Sequence, residues 1–195
     1  MKNKKKKNNR KAKLGIALNY IKESRKEIYI GIILFIFFIF IGFIFSSSLS
    51  FLDKYLAEIM SKTKDLSRFP LFWFILKNNV LTSFISLFLG IILCFMPIFN
   101  AITNGLVIGY VIKKVALTAG YLELWKLIPH GIFELPAIFI SIGLGIKLGK
   151  FIFKKDPLDS LKEYSYKSIL VFILVVIPLL IIAALIEFIL IIFAK

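Results

Sequence analysis

The residues most able to do chemistry sit inside an apolar stretch, "PHGIFELP" at 129–136. The chain's single histidine, His130, stands four residues before Glu134, so on a helix the imidazole and the carboxylate share one face. Ser141 and Gly145 extend that face further along. Pro129 suits a helix first turn, which puts His130 close to a helix start. Pro136 removes the bond that would reach the Ile132 carbonyl and predicts a kink. An imidazole, a carboxyl and a freed carbonyl around one bend could relay protons, bind a cation or substrate, or hydrogen-bond a neighbouring helix. The simplest alternative is a His–Glu bond that fixes packing. One His and one Glu are too few ligands for zinc, so no metal site is assigned.

Three further constellations place polar groups among apolar ones. Asn100 and Asn104 stack at i and i+4, and Gly105-x-x-x-Gly109 permits close helix approach, which predicts interhelical packing with amide bonds. "KNN" at 77–79 brings Asn78 and Asn79 before an apolar run, where asparagine caps helices. Glu187, between Ile186 and Phe188, must pair, protonate or face an aqueous path. The sequence contains no P-loop, G-x-S-x-G elbow, H-E-x-x-H or Gly-rich dinucleotide turn. A conventional enzyme is therefore disfavoured, no catalytic residue is assigned, and no cofactor is called for.

The elements that must position these residues are membrane helices. The chain is 59% hydrophobic with a mean hydropathy of +0.88, far above a soluble domain. Apolar runs predict five spans, at about 28–45, 80–99, 101–118, 127–149 and 168–193. The fold class expected is all-α: a polytopic membrane bundle of about five transmembrane helices plus interfacial helices. A surface helix is expected within 46–79, and "RFPLFWFILKNN" reads as an interfacial or re-entrant segment, its aromatics and Arg68 suiting the headgroup boundary. Two parts follow: a basic tail with an amphipathic helix at 1–27, and a transmembrane domain at 28–195.

The formal charge of +15 is unevenly spread. Eleven of the 26 Lys and Arg residues fall within the first 26 positions. On a membrane protein such a tail marks the cytoplasmic side and can hold anionic lipid headgroups; nucleic acid is not expected as a partner. Leu14, Leu18 and Ile21 give 12–27 an apolar stripe for the membrane surface. With five spans the loop at 147–167, carrying six more lysines, also falls inside and the C-terminus outside. The basic stretch before the first apolar run is long for a signal peptide, so that run reads as a retained anchor. Cys94, the single cysteine, reads as a small buried apolar residue. The expected partners are the lipid bilayer and either other proteins or further copies of the chain.

In combination, "NN" at 78–79, "NG" at 104–105 followed by Gly109, and "PHGIFELPA" at 129–137 resemble the stage II sporulation protein M family of multi-pass membrane proteins. The resemblance covers roughly residues 20–195. It implies a small all-helical bundle in the cell membrane. Named bacterial members act in engulfment during sporulation, as the membrane partner of a complex that remodels peptidoglycan. Carried over by position, the family's motif residues here are Asn78, Asn79, Asn104, Gly105, His130, Gly131 and Glu134. A membrane scaffold or complex subunit is the function this suggests; a transport or permease-like subunit with a polar His–Glu site is the alternative. An intramembrane enzyme using His130 and Glu134 as acid and base would need a substrate cavity reaching both.

Overall fold

The computed structural model describes residues 2–64, 66–122, 124 and 128–193. Side chains of residues 2–8, 68, 128–130 and 191–193 lie outside that description. Among the described residues the chain is all-α, and five helices are long and apolar enough to cross a membrane. Helix α1 (Lys2–Glu23) leads through Ser24 into α2 (Arg25–Ile44). The short amphipathic α3 (Leu52–Lys64) precedes α4 (Arg68–Phe88), α5 (Phe95–Thr118) and α6 (Ile128–Gly149). Helices α7 (Pro157–Val171) and α8 (Ile177–Phe193) form one rod around a π-helical turn at Phe172–Val176. Pro178 explains that turn: it has no N–H for the Leu174 carbonyl, and the wide turn lets Ile177 donate to Phe172 instead.

Glycines set how the bundle closes. On α5, Gly105 and Gly109 lie against the backbone of α2 at Phe35 and Ile39, so these helices run parallel in contact. A second such pair joins α6 to the end of α4 and the turn after it: Gly145 meets the Ser86 carbonyl, and Gly149 meets Gly90. No side chain fits between backbones at these distances, and close backbone approach is what membrane helices use to attract each other when lipid removes the hydrophobic drive. The turn between α4 and α5 is tight enough to hold Leu93 and Cys94 at φ of 48° and 61°, in the left-handed region. Its sulfur donates to the Ile146 carbonyl (3.3 Å), tying the turn to α6.

Several boundaries differ from the sequence expectation. Residues 68–79 are not an interfacial segment; they form the first half of the spanning helix α4, with Pro70 in its first turn. Asn78 and Asn79 are accordingly mid-helix, not a cap. The segment 157–167, expected as loop, is helical, with Glu163–Lys167 (2.5 Å) and Asp159–Lys162 (3.3 Å) pairs along it. Lys113 and Lys114 lie near the end of α5, where Lys113 stands over the Phe43 ring (4.8 Å). Helix α6 continues through Pro136 to Gly149.

Candidate functional site: a polar cavity between the spans

The two ends of the bundle carry different chemistry. At the end where α1 enters, Lys147 of α6 is nearly buried and donates to Ser24 Oγ (3.1 Å). It lies over the Tyr20 ring (4.3 Å) and 3.8 Å from Glu23, while Lys150 pairs with Glu27 (2.9 Å). Helix α1 rests on α7 through Ala17 and Tyr20, with Tyr20 against Tyr164. Burial pushes the Tyr20 phenol up from its ordinary value, so it stays neutral beside the lysine. Of the stripe expected on α1, Ile21 packs inward, while Leu14 and Leu18 are exposed.

At the opposite end the helices border an open pocket of about 950 Å3. Asn78 and Asn79 of α4, Glu134 of α6 and Glu187 of α8 line it, and α3 covers it with Met60, Ser61 and Lys64. Asn78 and Val107 also border a second lobe of about 540 Å3, lined by Asn100, Thr103 and Asn104 of α5 and by Tyr55 of α3. Among the described residues the asparagines bond within their own helices. Asn104 donates to the Asn100 carbonyl (3.0 Å) and side-chain oxygen (3.1 Å), and Asn78 makes a long contact to its neighbour Asn79 (3.4 Å). These bonds stay within one helix, so the amides retain donors and acceptors toward the lobes.

Of the expected site residues, Asn78, Asn79 and Glu134 thus line the larger pocket together with Glu187, and Asn104 lines the smaller one beside it, with Asn78 and Val107 bordering both. Gly105 does not; its face packs on α2. Gly131 sits in the first turn of α6, where a Cβ would meet only Leu135 Cδ1 at 3.8 Å, so no close approach demands glycine there. His130 lies in the backbone of α6, but its side chain, and with it the expected His–Glu pair, is outside the described residues. Among the described residues no group of three or more His, Cys, Asp or Glu could hold a metal ion.

Sequence reading missed what holds the cover. Asp53 of α3 accepts a hydrogen bond from the Tyr110 hydroxyl (2.6 Å) and pairs with Lys114, both on α5. Those hydrogen bonds, Lys114's first, hold the Asp53 carboxyl below its ordinary value. Only Leu52 of α3 is buried. The helix is therefore fixed at its first turn and lies loosely over the cavity beyond it. A sequence separation near sixty residues leaves no local signal for such a latch.

Every residue named as lining the two lobes falls within residues 31–190. That span is the one matched by the model of a family described as stage II sporulation protein M. The chain belongs to this family. It is 34% identical over 164 residues to an uncharacterized protein of Methanocaldococcus jannaschii, an alignment covering 76% of this chain and 89% of that relative. No solved structure matches. The part matched to stage II sporulation protein M contains all of α3 to α6 and the cavity; α1 and its basic tail lie before it.

Proposed function

We propose that this family member is a membrane subunit of permease-like type, whose cavity takes up a ligand bearing polar groups. One observation supports the reading: among the described residues, Asn78 and Asn79 of α4, Asn100 and Asn104 of α5 and Glu134 of α6 all border open pocket space. Polar groups kept inside a membrane for packing alone are expected to bond across helices, because an unmet donor or acceptor in hydrocarbon is costly. Among the described residues the asparagines bond along their own helices. The charge distribution supports an orientation in the cell membrane with α1 cytoplasmic and α3 outside.

A second reading, a scaffold within a membrane complex, is favoured by the α1–α7 pair. The α7–α8 rod spans 157–193, about 55 Å at 1.5 Å per residue, longer than a bilayer core of about 30 Å. Its first turns therefore project with α1, presenting exposed Leu14, Leu18 and Leu158 among lysines.

The two readings separate in reconstituted vesicles. Movement of Na+, K+, protons, ethanolamine and a fluorescent phospholipid would be followed for wild type and Glu134→Gln. The permease reading expects wild type to move at least one of these and Glu134→Gln to lose it with thermal unfolding unchanged. Movement of none of them by wild type, or unaltered movement in a well-folded Glu134→Gln, would overturn it in favour of the scaffold.

A further inference from the structure

We infer that the ligand of this cavity is an amphiphile with a phosphate-and-ammonium headgroup, entering sideways from the bilayer between α4 and α5. The inference rests on the cavity being a ligand site and names what that site is shaped to take.

Size speaks first. Lobes of about 950 and 540 Å3 match the range of organic-ligand pockets, about 300–1,000 Å3, whereas a water occupies about 30 Å3. A bare ion would leave nearly all of this space unfilled. The chemistry is also graded along the cavity. The larger lobe carries Glu134, Glu187 and Lys64. Among the described residues no charged side chain lines the smaller, which sets the amides and hydroxyl of Asn100, Thr103 and Asn104 beside Phe51, Met96 and Phe99. An ammonium matches the Glu134 carboxylate and a phosphate matches Lys64, while ester and glycerol-like oxygens match amides and hydroxyls. An anionic headgroup would bring its charge beside two carboxylates in a poorly screened place.

The way in is apolar. Phe51, Tyr55 and Phe99, which border the smaller lobe, are 66%, 52% and 52% exposed, so this lobe opens on the flank of the bundle. Phe95 stacks on Phe99 (5.9 Å between centroids) and is itself exposed, continuing the apolar strip along α5. A hydrocarbon chain can lie there while its headgroup reaches inward. Depth agrees as well. Glu134 is six residues into α6, about 9 Å from the helix end, close to where headgroups meet the hydrocarbon.

Native mass spectrometry in a nonionic detergent tests this. The probes are dihexanoyl phosphatidylethanolamine, dihexanoyl phosphatidylglycerol and free phosphoethanolamine, titrated onto wild type, Glu134→Gln, Val107→Trp and the lipid-facing control Ile33→Ala. Wild type and the control should retain one phosphatidylethanolamine per chain, with the other two probes at least tenfold weaker. Glu134→Gln and Val107→Trp, which fills the waist between the lobes, should each lose at least tenfold. If Val107→Trp unfolds, Asn104→Leu replaces it with the same expectation. Equal retention of phosphatidylglycerol, or full retention by the folded cavity variants, would mean a nonspecific lipid annulus and overturn the inference. Phosphoethanolamine binding as tightly as the lipid would overturn sideways entry. Absence of lipid retention alongside Glu134-dependent movement of a soluble solute would sink the inference and leave the permease reading standing.

Discussion

Gly109→Ala puts a single methyl group into the seam that positions Asn104 and Val107. The added Cβ would overlap the Ile39 carbonyl oxygen and stand 2.8 Å from Phe43 N and 2.9 Å from Ile39 C. All three atoms are backbone, so no rotamer change relieves the overlap; α5 must move away from α2. Overpacking of this kind costs about 1–3 kcal/mol. Replacing a helical glycine by alanine returns about 0.5–1 kcal/mol of conformational entropy. The net expectation is a loss of about 0–2.5 kcal/mol, centred near 1. Gly15→Ala is the matched control: it is helical, a Cβ there meets nothing within 4 Å, and it should be neutral or stabilising by about 0.5–1 kcal/mol. Thermal unfolding in detergent compares the two. Equal midpoints would refute the claim that backbone contact at Gly109 holds the seam.

Other expectations follow from the latch, the basic end and the turn. Asp53 has its folded value depressed, so its contribution to holding α3 is complete above its ordinary value and is lost as pH falls through the lowered one. A cysteine at buried Leu52 should therefore react slowly with thiol reagents at neutral pH, faster in Asp53→Asn and faster in acid-treated protein assayed by a pH-insensitive disulfide reagent; equal rates would refute the latch. Lys147→Met keeps the aliphatic stem but removes the bond to Ser24 and the contact with Tyr20, at about 1–3 kcal/mol together. It should raise hydrogen exchange in α1 while leaving α4 and α5 protected, and unchanged α1 exchange would count against the tie. Burial raises the Cys94 thiol, so Cys94 should label with maleimide at neutral pH at least tenfold more slowly than a cysteine placed at exposed Leu122.

The parts of this architecture readable in the sequence were those written in local pattern. Apolar runs of membrane length gave five spans, and Gly105-x-x-x-Gly109 marked a close approach that the structure realises against α2. The start of α4 was hidden because an aromatic-rich stretch with Arg68 and Lys77 looks like a headgroup boundary, although lysine and asparagine are tolerated mid-span when they face a cavity or the helix ends nearby. Gly145-x-x-x-Gly149 has the same spacing as the α5 pair, and its partner, the turn at Gly90, became visible only in three dimensions. Asn104 borders a pocket and bonds to Asn100 of its own helix; periodicity places an amide on a face without saying whether a helix or a void stands opposite.

The central claim, that Asn78 and Asn104 border an open cavity, is tested most directly by cysteine accessibility in intact cells. Asn78→Cys, Asn104→Cys and, as a buried control, Phe35→Cys would be made in a Cys94→Ala background and exposed to a membrane-impermeant thiol reagent. The account predicts modification at 78 and 104 from outside and none at 35, which is 1% exposed. Cysteines at 78 and 104 that stay unmodified until the protein is denatured would contradict it.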